Sequence, residues 1–171
     1  MKKTLPLLAL LVAASFAARA GDIPASVDKV EIPNYQKLGP GLAVGGQPAP
    51  DVLKKLGAMG FRTVISLRAS SEGFAKDQAV VEEQRLRWVN VPVSPGTFTK
   101  KDVEAVAKIL DDPSAGPVLL YCGSANRVGG VWAVYHAMNG KIPGDALAEG
   151  RKAGLKSPQM IEAVEKVLRT P

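Results

Sequence analysis

The stretch PVLLYCGSANRVGG, residues 117–130, carries the single cysteine of the 171-residue chain, Cys122, at the end of an apolar run. The run PVLLY, 117–121, has no polar alternation, which predicts a short strand buried on both faces at the centre of a mainly parallel sheet. Beyond the turn, Val131, Val134, Tyr135 and Met138 recur at helical spacing and predict the buried face of a helix over 127–140. Between strand and helix lie Gly123, Ser124, Ala125 and Asn126, and then Arg127. In an α/β sheet, ligands bind beyond the carboxyl ends of the strands, which is where this turn falls.

Working outward, the same alternation of elements continues. LAVGG (42–46) predicts a strand, PDVLKKLGAMG (50–60) a helix opened by Pro50 and stopped at Gly60, and RTVISL (62–67) a β-branched strand. FAKDQAVVEEQRL (74–86) has helical composition, and RWVNVPV (87–93) alternates as a strand. TKKDVEAVAKILDD (99–112) predicts an amphipathic helix with Val103, Val106, Ala107 and Leu110 on one face. Two further helices are expected near 144–153 and 158–169. Residues 21–40, rich in Pro, Gly and polar residues, are expected to be irregular with at most one short strand. The result is an α/β domain, three layers with a mainly parallel central sheet flanked by helices.

The first twenty residues, MKKTLPLLALLVAASFAARA, have a basic start, an apolar middle and the small-residue close Ala18-Arg19-Ala20. That is the pattern of a cleaved bacterial secretory signal, so residues 21–171 are expected to form one domain in the periplasm or the medium, without stable membrane insertion. The apolar middle is shorter than the roughly 20 residues that cross a bilayer. The formal charge of +6 becomes +3 when Lys2, Lys3 and Arg19 are set aside. So small an excess, with no basic cluster interleaved with aromatics, excludes a nucleic-acid partner from the reading. One cysteine and one histidine, His136, cannot furnish an ordinary zinc set, and no metal or other cofactor is expected.

The chemistry of the Cys122 turn follows from its residue types. Gly123, Ser124, Ala125 and Asn126 are small enough for the backbone to curl around the sulfur as an anion-binding loop, and the start of the next helix adds its partial positive charge. A thiolate is a nucleophile, and the planar fork of Arg127 grips two oxygens of an oxyanion. The competing reading of these residues is an inert buried cysteine with a solvated arginine. His136 lies nine positions beyond Arg127, more than two helical turns away, and reads as a packing residue, as does Trp132. Arg68, Glu72 and Gln47 could line the same crevice, Arg68 and Glu72 otherwise forming a surface ion pair.

Three segments, LGPGLAVGGQPAPDVLKKLGAMGFRTVISLR, WVNVPVSPGTFTKKDVEAV and PVLLYCGSANR, resemble the phosphatase-like domain that occurs alone or fused to beta-lactamase-like hydrolases in bacteria, a relative of the dual-specificity protein phosphatases. The resemblance runs from about Tyr35 to His136. It implies a cysteine-phosphatase fold in which Cys122 is the nucleophile and Arg127 binds phosphate, acting on phosphomonoesters through a cysteinyl-phosphate intermediate. It also implies a small anionic or phosphorylated substrate. The loop of that family commonly reads C-R-S-G-x-R, so Gly123 stands for an arginine and Ala125 for a glycine. Tyr121 stands where phosphatases usually have histidine, and Val128 where a serine is common.

A general acid is expected on the loop VSPGTFTKKD, where the usual position reads Pro95-Gly96 and the nearest acid is Asp102. Asp102 also has capping-box spacing from Thr99. Two alternatives stay open. Dual-specificity phosphatases have five residues between cysteine and arginine; the four here are similar to the loop of rhodanese-type sulfurtransferases, in which the cysteine carries a persulfide. Ala125 and Val128 would suit a non-catalytic domain that keeps the loop to bind phosphate, sulfate or an acidic partner.

Overall fold

The computed structural model describes residues 21–24, 27 and 31–170; the expected leader, 1–20, lies outside them. Five strands, β1 (Gln36–Gly39), β2 (Leu42–Gly45), β3 (Thr63–Ser66), β4 (Arg87–Asn90) and β5 (Val118–Tyr121), form one sheet in the order β1-β2-β5-β3-β4. β5 takes the centre, parallel to both β2 and β3, and β4 extends the parallel set; only β1 at the edge is antiparallel. All four residues of β5 are fully buried, as its unbroken apolar run requires.

The pleat sends alternate residues to opposite layers. Ala43, Val64, Leu119 and Tyr121 pack under α1 (Pro50–Leu53), the turns that follow it and α2 (Ala75–Glu83). Leu42, Val44, Ile65, Val118 and Leu120 face the other side, where α3 (Lys100–Leu110), α4 (Asn126–Met138) and α6 (Pro158–Arg169) cover them. α5 (Pro143–Lys152) lies against α4. The sheet is thus sandwiched between two helical layers, the three-layer α/β architecture expected.

Differences from the expected boundaries have local causes. The helix predicted over 50–60 ends at Leu53, because the Gln84 side chain intercepts its ladder: Gly57 N donates to Gln84 Oε1 at 3.0 Å, and Gln84 Nε2 donates to Leu53 O at 2.7 Å. The strand predicted over 87–93 stops at Asn90, just before Pro92, which has no N–H for a ladder. On α3 the buried stripe is Val103, Val106, Ile109 and Leu110, with Ala107 half-buried at its margin. On α4 Val128, Val131 and Val134 are buried, whereas Met138, in the last turn, is 43 % exposed.

The closest helix crossing is built on glycine. A Cβ on Gly129 of α4 would lie 2.2 Å from Leu155 N and 2.5 Å from Gly150 O, so the backbones touch where side chains would otherwise stand. This contact fixes α4, and with it the turn that precedes it. Replacing Gly129 with alanine is expected to lower the unfolding free energy by roughly 1–3 kcal/mol, the usual range for overpacking. An unchanged denaturation midpoint would show that the crossing opens freely.

Candidate active site

Cys122 emerges from the carboxyl end of the central strand, 1 % exposed, with its N–H bonded to Gly45 O at 3.3 Å. The turn behind it is pinned on the β2 side: Gln47 N donates to Gly123 O at 3.1 Å, and Asn34 Nδ2 donates to Ser124 O at 3.2 Å. Those contacts occupy two carbonyls of the turn. Where α4 begins, the first helical bond is Gly129 N to Ala125 O, so the N–H groups of Asn126, Arg127 and Val128 have no acceptor within the helix. The turn between Cys122 and Arg127 therefore leads directly into a helix N-terminus.

Ala125 adopts φ 66° and ψ −4°, the left-handed conformation in which its Cβ costs about 1 kcal/mol relative to glycine. The neighbouring residue holds it there. Asn126 Oδ1 accepts from Lys156 N at 2.8 Å and Ser157 N at 2.9 Å, while Asn126 Nδ2 donates to Ser157 Oγ at 2.7 Å. Asn126 thus ties the turn to the segment between α5 and α6. Packing leaves little freedom on that side, since a Cβ on Gly154 would come within 2.8 Å of Ala125 Cβ.

Arg127 folds back across the ends of the strands. Nη1 donates to Leu67 O at 3.2 Å and Val93 O at 3.4 Å, and both Nη1 and Nη2 donate to the Glu72 carboxylate at 2.7 Å. Glu72 sits in a single turn of 3-10 helix, Ser70–Glu72, and its Oε2 also accepts from Ala69 N at 2.8 Å. The Arg127 hydrogen bond is the largest influence on Glu72 and takes its pKa from 4.5 to about 2, partly opposed by burial and helped by Ala69 N and the charge of Arg68. Arg127 is in turn held above its usual pKa, first by Glu72 and further by Cys122, against its own burial.

Together these elements enclose an open cavity of about 350 Å³, lined by Ala69, Glu72, Val93, Ser94, Pro95, Ser124, Asn126 and Arg127. Glu72 is the sole carboxylate on its wall among the described residues. Behind it Asp77 Oδ2 gathers Gln47 Nε2 at 2.7 Å, Arg68 Nη1 at 2.8 Å and Tyr121 Oη at 3.0 Å. Burial and the nearby Asp77 carboxylate raise the pKa of Tyr121, so its hydroxyl stays a proton donor to Asp77. An alternating series of charges, Asp77, Arg68, Glu72 and Arg127, thus leads to the thiol.

The structure gathers Cys122, Arg127 and the turn between them, but not Asp102. The Asp102 Oδ2 atom accepts from Thr99 N at 2.8 Å and Thr99 Oγ1 at 3.0 Å, which is the capping box at the start of α3, and Asp102 does not line the cavity. Neither Ser94 nor Pro95 brings a carboxyl group in its place. His136 stacks edge-on to Trp132 with ring centroids 4.5 Å apart, in the packing role expected. Arg68 and Glu72 are not merely a surface pair: their ion pair is 3.7 Å long, while each has a shorter partner, Asp77 for Arg68 and Arg127 for Glu72. The sequence does not mark Asp77, since an acid in the first turn of a helix signals only capping. Among the described residues no cluster of side chains could hold a metal ion, and no helix is long and apolar enough to cross a membrane.

Residues 34–139 match the family described as beta-lactamase hydrolase-like protein, phosphatase-like domain. A beta-lactamase hydrolase-like protein of Xylella fastidiosa strain 9a5c is 27 % identical over 137 residues, which are 76 % of this chain and 32 % of that protein. One from Agrobacterium fabrum is 26 % identical over 106 residues, 59 % of this chain and 24 % of that protein. The chain thus spans about a third or less of the curated relatives it matches. Among solved structures, P. aeruginosa TpbA superposes with a TM-score of 0.64 at 20 % identity, covering 90 % of this chain and 91 % of that one. The core catalytic domain of a PP-IP phosphatase from S. cerevisiae gives 0.66 at 13 %, covering 81 % and 88 %. At these identities the structures establish the fold.

The Glu72 pKa, depressed in the folded chain, sets the sign of an acid effect. Its ion pair stabilises fully above pH 4.5 and is lost as pH falls toward 2. The urea midpoint of the native protein should therefore exceed that of Glu72→Gln by a constant margin near neutrality, and the margin should close between pH 4.5 and 2. A margin independent of pH would contradict the pairing. Separately, Asn126→Ala should cost about 1–3 kcal/mol by leaving two amides without an acceptor, read as a lower midpoint of chemical unfolding.

Proposed function

Starting from a chain that belongs to the phosphatase-like domain family of beta-lactamase hydrolase-like proteins, we propose that it is an exported, cysteine-dependent hydrolase of phosphomonoesters. The observation that carries this reading is the convergence of the helix-start turn and the Arg127 guanidinium at one cavity beyond the central strand, with Cys122 buried at the base of that turn. The amides and guanidinium would hold the three non-bridging oxygens, and their charge would balance the transition state. Cys122 Sγ, as thiolate, attacks phosphorus; the S–P bond forms as the P–O bond to the leaving group breaks. Water then attacks phosphorus, the S–P bond breaks, inorganic phosphate leaves and the thiolate returns.

With Pro95-Gly96 at the usual position of an acid and Asp102 engaged in capping, the leaving oxygen takes its proton from solvent or departs as a stable anion. General acids contribute roughly 10²–10⁴-fold, so aryl phosphates are expected to turn over far faster than alkyl phosphates. One TpbA structure is a complex with pTyr, and phosphotyrosine, an aryl monoester, is therefore the first substrate to try.

A sulfurtransferase is the second reading, favoured by the four-residue spacing between Cys122 and Arg127. There the thiolate takes the sulfane sulfur of thiosulfate, releasing sulfite, and passes it from the persulfide to cyanide as thiocyanate. The assays separate the readings: phosphate release from an aryl phosphate, lost in Cys122→Ser, supports the phosphatase; thiocyanate formation lost in that variant supports the other. Anion binding with neither activity would leave a binding domain. Asp102→Asn should lower the thermal midpoint by weakening the cap; a hundredfold fall in kcat would instead make Asp102 the acid. For export, expression with residues 1–20 should yield a periplasmic protein beginning at Gly21, and a cytoplasmic product retaining Met1 would refute it.

A further inference from the structure

Three parallel strands, β2, β5 and β3, run out beside the Cys122 turn, and one side chain gathers their ends. Asp77, in the first turn of α2, takes three donors on a single oxygen: Oδ2 accepts from Gln47 Nε2 at 2.7 Å, Arg68 Nη1 at 2.8 Å and Tyr121 Oη at 3.0 Å. Gln47 lies just past β2 and Arg68 just past β3, while Tyr121 closes β5 immediately before Cys122. The paired register of the sheet ends at Gly45, Ser66 and Tyr121, so Asp77 ties the three chains where the ladders stop.

Of the three donors, Gln47 reaches the turn itself. Its backbone N–H donates to Gly123 O at 3.1 Å, beside the bridge between Gly46 and Ser124. A trans peptide points its C=O and N–H in opposite directions, so a Gly123 carbonyl held against Gln47 turns the Ser124 N–H away from β2. Ser124 lines the cavity. The Gln47 side chain has little else to fix it among the described residues: Oε1 is buried without a hydrogen-bond partner, and besides Asp77, Nε2 meets only Pro48 O at 3.5 Å. The charge-assisted bond to the Asp77 carboxylate therefore holds the residue whose amide holds the turn.

We propose that Asp77 is a positioning residue of the turn between Cys122 and Arg127, acting on it through the Gln47 side chain. This rests on the phosphoryl-binding reading of the cavity and adds to it a residue that stands outside the cavity wall. Gln47 and Tyr121 are neutral donors, so the tie depends on an oxygen acceptor at this place rather than on its charge. Without that acceptor the Gln47 amide loses its anchor, and the Gly123–Ser124 peptide is free to turn.

Amide hydrogen exchange, followed by NMR on the reduced native protein, Asp77→Ala, Asp77→Asn, Gln47→Ala and the Asp77→Ala/Gln47→Ala double variant, provides the test. In Asp77→Ala the backbone amide at position 47 should exchange at least about tenfold faster while the amides of β5 keep their native rates. Asp77→Asn keeps an oxygen for the neutral donors and should restore most of the protection. The double variant should exchange no faster there than Gln47→Ala alone, as expected of two residues that act in series. With an aryl phosphate, Asp77→Ala should lose about ten- to a hundredfold in kcat/KM, the cost of a small misplacement around the reacting atoms, and Asp77→Asn should recover most of it. Asp77→Glu, one methylene too long to meet all three donors, takes the place of the alanine variant if that one does not fold. Native exchange at position 47 in the alanine variant, an asparagine variant no better than alanine, or an additive double variant overturns the proposal. Exchange at position 47 decides it whether or not the native protein releases phosphate; absence of Cys122-dependent release tells against the phosphatase reading alone.

Discussion

The guanidinium of Arg127 is the one group that touches every part of the site. It leaves α4 in the first turn, reaches back over Cys122 and bonds to Leu67 O after β3, Val93 O after β4 and the Glu72 carboxylate. Residues 34 to 60 positions away along the chain are drawn to one cation, which can hold its place only because α4 starts where it does. That start is set in turn by the Gly129–Gly150 crossing on one side and by the Asn126 ties to Lys156 and Ser157 on the other. The central strand supplies the thiol, but the helix supplies the geometry.

The same arrangement explains where strain resides. Ala125 takes a left-handed conformation that suits glycine, and the fold holds it there by packing against Gly154 and by the hydrogen bonds of Asn126 next to it. A conformation costing about 1 kcal/mol in so small a turn indicates that the surroundings, not the local sequence, determine its shape. Asn126, which lines the cavity, therefore contributes mainly by fixing the turn. Gly123, with nothing but Arg127 Nη2 within 4 Å of a built Cβ, at 3.5 Å, has room that Ala125 lacks.

Much of this was legible in the chain. An unbroken apolar run placed β5 in the middle of a parallel sheet, and the small residues between Cys122 and Arg127 marked the tight turn into α4. The alternation of strand and helix gave the layers. What failed was decided by contacts distant in sequence: Gln84 cuts short the helix that begins at Pro50, and Glu72 meets Arg127 across 55 positions, so local spacing could show only its i,i+4 neighbour Arg68. Asp102 illustrates the reverse case. Its two readings, cap and acid, had identical local signatures, and the hydrogen bonds to Thr99 favour the cap.

The central claim is that Cys122 and Arg127 form one seat for a phosphoryl group. A crystal structure of the reduced protein soaked with orthovanadate tests it most directly, because vanadate both mimics phosphate and bonds to a reactive thiolate. The account predicts vanadium bonded to Cys122 Sγ, its oxygens on the amides of the turn and on the Arg127 guanidinium. Vanadate bound elsewhere, or an unmodified thiol at saturating vanadate, would contradict it.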